Sequence, residues 1–266
     1  MPIVPAGEAS HPAAMSPFPL LFGAGLLAGT MNALAGGGSF VTLPALIAAG
    51  VPSVQANASS TVALWPGGAA SAWTYHAGSG PLCGLPLRTM LLATLAGGFI
   101  GSVLLLSTSS TAFNAVLPWL MLAATLALAF GRRVGAHLQG RVPGHAALVP
   151  GVQFCLGIYG GYFGGAVGLM MMAVWCVFGE GDVKVLNGPR TLLVTAANTV
   201  AVLTFMLAGA VRWPQTLVML AGGLAGGVAG ARLGRIVPAG VTRAMTLCFP
   251  LSITVVFFVR AYASVR

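Results

Sequence analysis

Acidic side chains are almost missing from this chain: of 266 residues only Glu8, Glu180 and Asp182 carry a carboxylate. None of the three falls inside an apolar segment, so an intramembrane carboxylate pair working by general acid–base catalysis is excluded. Cysteine is also sparse. Cys83, Cys155, Cys176 and Cys248 stand alone, with no paired spacing of the zinc or redox kind. The last three lie in apolar runs, where a free thiol acts as a small hydrophobe. A basic leader is absent too. The opening "MPIVPAGEASHPAAMSP" is interrupted by four prolines and reads as a short exposed tail, not as a signal peptide. Nor do apolar and polar residues alternate over about ten positions, as strands of an outer-membrane barrel require.

What is there is hydrophobicity. Hydrophobic residues make up 57% of the chain and charged ones 6%, against about 25% charged in soluble domains. Apolar runs extend over residues 19–35, 40–50, 55–76, 87–106 and 113–131. After a polar break they resume over 147–163, 166–178, 191–210, 215–231 and 242–260. Most have the length of about 17–25 residues that spans a bilayer as helix. The pattern predicts an all-α polytopic membrane protein. The net charge of +9 does not indicate nucleic-acid binding, because the basic residues sit in short loops between spans, where they set orientation.

The second half echoes the first at an offset of about 129 residues. "LAGGFIGS" (Leu95–Ser102) meets "LAGGVAGA" (Leu224–Ala231), and "ANASST" (Ala56–Thr61) lies opposite "LNGPRT" (Leu186–Thr191). The expected organisation is an exposed tail over 1–16, a first repeat over 17–131, a basic cytoplasmic linker over 132–146 and a second repeat over 147–262. Each repeat holds a glycine-broken pair of segments followed by three spans. If that pair crosses once, the repeats are parallel, and seven of the twelve basic residues fall inside and five outside. If it forms a hairpin, the repeats are inverted. Arg88, Arg132, Arg133, Arg141, Lys184, Arg190, Arg232, Arg235 and Arg243 then fall inside, leaving Arg212, Arg260 and Arg266 outside. Nine to three satisfies the positive-inside rule better. Inverted repeats with both termini outside are expected. The second segment of each pair is only about 16–20 Å long as helix. The core is about 30 Å thick, which favours re-entry, or a partial crossing, with glycine tips near mid-membrane.

A helix break at that depth is tolerated only where it is buried in protein or lines a wet cavity, and matched breaks in inverted repeats point to a transport site. Free N–H groups and the positive end of a helix dipole attract anions there. Gly36, Gly37, Gly38 and Ser39 form the first candidate cradle, and Gly164 and Gly165 the second. Gly97/Gly101, Gly222/Gly226 and Gly226/Gly230 read instead as packing pairs that let helices approach closely. Asn32 and Asn198 fall deep in their segments, where an amide either joins helices or faces the cavity; Thr195 and Thr199 favour the site for Asn198. Arg190, opposite Ser60 of the first half, adds a cation near the cytoplasmic mouth, where with Lys184 it gathers anions or pairs with Glu180 and Asp182. Asn57 and Asn187 occupy matching expected helix starts, a capping position. His76, after Trp73 and Tyr75, reads as part of an interfacial aromatic belt.

The stretch Gly29–Ser60, "GTMNALAGGGSFVTLPALIAAGVPSVQANASS", resembles the opening motif of the sulfite exporter TauE/SafE family, within the toluene sulfonate uptake permease superfamily. Its elements are the glycine break, a "P-x-L" turn at Pro44, "G-V-P" and a small-polar helix start. The copy "FGGAVGLMMMAV" (Phe163–Val174) lacks the "P-x-L" and the glycine triplet. The resemblance covers about Leu20 to Val259. It implies a bacterial inner-membrane transporter of small anions, mostly sulfur oxyanions or organosulfonates. It fixes neither the anion nor the direction.

No cofactor, metal or nucleic acid is expected; the partners are a small anion and the lipid bilayer, with a homodimer left open. Coupled import of an organosulfonate or carboxylate is the first alternative, and an intramembrane hydrolase using Ser39 and His76 a distant one. A cation carrier would need an intramembrane cluster of Asp, Glu, His or Cys, which the chain lacks. Charge placement generates the first test. Cysteines placed singly at Ser109 and Gln139, in a background without the native four, should react with an impermeant thiol reagent in intact cells only at Ser109→Cys. Reaction only at Gln139→Cys would reverse the orientation.

Overall fold

The computed structural model describes residues 16–34, 36–75, 81–138, 145–178, 183–233, 236 and 239–262. They form ten α-helices: α1 Phe18–Leu34, α2 Ser39–Ala48, α3 Ser53–Tyr75, α4 Leu87–Ser107, α5 Ser110–Leu138, α6 His145–Tyr162, α7 Val167–Val177, α8 Val183–Leu207, α9 Trp213–Leu233 and α10 Ala239–Tyr262. No strand occurs among the described residues, where the only β feature is an isolated bridge between Leu82 and Leu85. Every expected apolar segment is a helix. By length and composition Leu87–Ser107, Ser110–Gly131, Val185–Leu207 and Trp213–Leu233 suffice to cross a membrane. The chain is an all-α polytopic membrane protein. Wide lipid-facing exposure of Leu92, Phe99, Val228 and Val255 fits that medium.

Two boundaries differ from expectation. α5 continues to Leu138, so Arg132 and Arg133 belong to a helix; residues 139–144 of the expected linker lie outside the described residues. α8 begins at Val183, not at Thr191, and carries Pro189 within it. Asn-Gly-Pro is ordinarily a helix boundary, but Leu186, Gly188 and Pro189 are buried here, and packing overrides the local signal. Pro44 likewise sits inside α2 instead of forming a turn. The N-terminal tail to Met15, His76, Glu180 and Asp182 lie outside the described residues, as does the side chain of Lys184.

Packing between the halves is reciprocal. α1 lies along α9, with Gly25 against Met219 and Gly29 against Gly223; α6 lies along α4, with Gly97 against Phe154 and Gly101 against Ile158. A methyl group at any of these four glycines would overlap a backbone carbonyl oxygen of the facing helix. This is the close small-residue approach of membrane helices, and it bears out the packing role of Gly97, Gly101, Gly222 and Gly226. Thr30 Oγ1 donates to the Gly226 carbonyl at 3.0 Å in the same seam. At the centre α3 and α8 run antiparallel: Trp65 Nε1 donates to Thr199 Oγ1 (2.8 Å), and Thr195 Oγ1 to the Gly68 carbonyl (3.1 Å). α5 and α10 are antiparallel too, joined at Thr125 and Thr254, whose hydroxyls lie 3.2 Å apart. These two threonines are 129 residues apart in the sequence.

The loops sort to two ends. Ser53 Oγ donates to the Ser110 carbonyl (3.3 Å), and Arg212 holds Ser59 through its N–H (2.9 Å) and Gln55 through Nε (2.7 Å). The starts of α3, α5 and α9 therefore share one end. At the other, Leu82 of the α3–α4 connection packs with Met90, Val149 and Trp175. The glycine seams generate the second test. Gly101→Ala should overpack against Ile158 and cost about 1–3 kcal/mol, seen as a lower melting temperature in detergent. Gly23→Ala, with nothing within 4 Å, should hold or raise it. Equal behaviour would show that the seam is looser than described.

Candidate functional site: two facing helix breaks

The first break separates α1 from α2. Gly36 and Gly37 have φ of +84° and +93°, a region that L side chains enter only at a cost. Asn32 supplies the brace: its Oδ1 accepts the Gly38 N–H at 2.8 Å. A side chain at Gly38 would meet the Ala28 carbonyl and the Asn32 amide, each within 3 Å. The Gly38 donor expected to face an anion is therefore occupied by Asn32. Gly36 N–H turns back to the Met31 carbonyl (3.1 Å), while Phe40, Val41 and Thr42 donate to Gly37 and Gly38. Among the described residues, the N–H groups of Gly37 and Ser39 have no backbone acceptor. Ser39 is half-buried and opens α2, so its hydroxyl stands beside those donors.

The second break separates α6 from α7. Gly164 has φ +77° and Ala166 φ +56°, so this half makes its left-handed turn partly with a side-chain residue. Phe163 and Gly164 N–H both return to the Tyr159 carbonyl. Gly165, Ala166, Val167 and Gly168 keep N–H groups free of backbone acceptors, as the first turn of a helix must. One face of α8 covers this turn: Arg190 and Val194 lie over Gly168, and Asn198 over Gly164, with Oδ1 3.7 Å from where a Gly164 side chain would begin. Asn198 Oδ1 is buried without a hydrogen-bond partner. Arg190 Nη1 approaches Met172 Sδ at 3.8 Å, placing the cation against the middle of α7. Thr195 spends its hydroxyl on the α3 backbone, in the helix-joining role.

The two breaks come together. Phe40, at the start of α2, and Phe163, at the end of α6, are fully buried and meet edge to face with ring centroids 6.5 Å apart. Tyr159 adds a third ring, 5.9 Å from Phe163. A side chain at Gly165 would run into the Phe163 ring. Asn57 does not cap a helix: α3 starts four residues earlier, and Asn57 Nδ2 donates to the Tyr162 carbonyl at 2.9 Å. Sequence reading missed the aromatic pair and this cross-link. An aromatic residue beside each glycine cluster was the available signal.

A chain with two broken helices apposed at the centre of ten has the build of a transporter, and comparison with known proteins agrees. The family described as sulfite exporter TauE/SafE matches residues 21–257. The chain belongs to that family. It is 28% identical over 243 residues to a probable membrane transporter protein of Haemophilus influenzae, covering 91% of this chain and 92% of that one. It is 29% identical over 216 residues to the probable membrane transporter protein YfcA of Escherichia coli K12, covering 80% and 79%. A third, the probable membrane transporter protein ORF9 of a Sinorhizobium species, is 29% identical over 218 residues, covering 80% and 81%. No solved structure is a significant match. The protein is a membrane transporter of the TauE/SafE family.

The backbone geometry of the first break generates the third test. Gly36→Ala should cost about 1–2 kcal/mol, although nothing lies within 4 Å of that position. Gly151→Ala, equally uncrowded but without positive φ, should hold or raise the melting temperature. Parity between the two would remove the need for a left-handed turn.

Proposed function

We propose that this transporter exports a small sulfur oxyanion or organosulfonate, sulfite being the first candidate, across a bacterial inner membrane without catalysing a reaction on it. The observation that carries the reading is the pairing of the two breaks, each with N–H groups that no backbone carbonyl accepts. Ser39 with Gly37 would serve the anion from one side, and Gly165, Asn198 and Arg190 from the other, with Gly36 and Gly164 making the left-handed turns beside those donors. Helix N-termini and an arginine suit an anion carrying several acceptor oxygens. The family's printed description as a sulfite exporter and the bacterial origin of the named relatives support the substrate class and the membrane. The antiparallel courses of α3 against α8 and of α5 against α10 support inverted repeats, with the end that gathers Ser53, Ser110 and Arg212 outside.

Direction follows from charge. Coupled import into a negative cell calls for an intramembrane carboxylate or histidine. Glu8, Glu180 and Asp182, the three acidic residues, all fall outside the apolar runs of the sequence. Export needs no such group, because each negative charge gains about 2.3 kcal/mol per 100 mV on leaving. At about 1.4 kcal/mol per factor of ten, that is a bias of nearly fiftyfold. In proteoliposomes with the potential clamped by potassium and valinomycin, sulfite flux should follow the sign of the potential. Ser39→Ala and Asn198→Leu should each lower it severalfold in protein of unchanged melting temperature. Flux driven by a proton gradient at zero potential, and indifferent to the potential, would overturn the exporter reading.

A further inference from the structure

We propose that Asn57 and Asn187 form an alternating latch, one closing the outer side of the site and the other the inner side, never both at once. The inference rests on the inverted-repeat reading above. The two asparagines are equivalent: Thr61 Oγ1 donates to the Asn57 carbonyl (2.9 Å) and Thr191 Oγ1 to the Asn187 carbonyl (2.8 Å), 130 residues on. Neighbouring contacts repeat at that offset. Thr42 bonds Ser60, and the corresponding pair is Met172 with Arg190. By the same offset the partner of Asn57, Tyr162, corresponds to Asn32.

The two equivalent places differ in state. Asn57 is 1% exposed, and its Nδ2 donates to the Tyr162 carbonyl. That carbonyl ends α6 and is passed over by the next donors, since Phe163 and Gly164 both return to Tyr159. The opposite pair is unmade. Asn187 is half-buried and its side-chain amide makes no hydrogen bond with any described residue, while Asn32 is exposed. The Asn32 carbonyl too is passed over by Gly36, whose N–H goes to Met31. Each break thus leaves a carbonyl in the last turn of its helix without its i+4 backbone donor, and the other half carries an asparagine able to supply one. Only one of the two bonds is made. This conformation is closed at the end that holds Asn57 and loosened at the end that holds Asn187. In the alternate conformation Asn187 Nδ2 donates to the Asn32 carbonyl and Asn57 releases Tyr162, exchanging the roles of the halves.

The test uses a background without native cysteines. Asn57→Cys with Tyr162→Cys, and Asn187→Cys with Asn32→Cys, are treated in proteoliposomes with a short thiol-specific bifunctional reagent. Each pair should cross-link, and protein joined at the first pair through thioether bonds, which sulfite does not cleave, should lose sulfite and sulfoacetate flux. A protein carrying all four substitutions should form one link or the other but not both. Undiminished flux through protein joined at the first pair, or double linking, would overturn the latch. Independently, Asn57→Leu should raise impermeant labelling of Ser59→Cys about two- to tenfold, the population shift expected from one hydrogen bond; no change would count against the latch. If that variant does not insert, the cross-links still decide. Labelling of Asn57→Cys and Asn187→Cys from the same side would sink the inverted repeats themselves, whereas opposite sides with free flux through the linked protein would sink only the latch.

Discussion

Everything here depends on where backbone can come close to backbone. A helix broken inside a bilayer exposes N–H and C=O groups that lipid cannot satisfy, and each costs several kcal/mol unless protein or a wet cavity receives it. The breaks after α1 and α6 persist because those helices are seated on α9 and α4 without intervening side chains. Gly25 and Gly29 meet Met219 and Gly223, and Gly97 and Gly101 meet Phe154 and Ile158. Such contact fixes the depth of both breaks.

The centre is built from polar contacts of modest strength, arranged between helices that are otherwise apolar. Trp65, Thr195 and Thr199 tie α3 to α8. In the second half Trp175 Nε1 donates to Gln153 Oε1 at 3.1 Å, and Gln153 Nε2 to Thr94 Oγ1 at 2.8 Å, binding α7, α6 and α4 in one buried chain. A buried network with its members satisfied holds one arrangement. Against that background Asn198 Oδ1 and Gln215 Oε1 stand out as buried acceptors without partners. Asn198 lies at the second break, where such a group is consistent with a functional surface.

The halves share a plan but not a chemistry. Where the first half pairs the hydroxyls of Thr42 and Ser60, the second sets Arg190 beside Met172. The first break turns on Gly36 and Gly37, the second on Gly164 and Ala166. At these matched positions one half therefore carries small neutral groups and the other a cation.

The sequence by itself determined the ten helices, their apolar character and the two breaks, because hydrophobic run length and glycine clusters act locally and leave their mark on neighbouring residues. The glycine pairs of α4 and α9 were legible for the same reason: a small residue repeating every fourth position defines a stripe. Only the tertiary structure decided what those stripes meet. It carried α8 back to Val183 through an Asn-Gly-Pro stretch that reads as a boundary, since burial of Leu186 outweighs a local breaker. It assigned Asn32 to Gly38, Asn57 to Tyr162 and Phe40 to Phe163, pairs whose last two members lie more than a hundred residues apart. Nothing local in the chain encodes such a partner; it follows from the close seating of one half on the other.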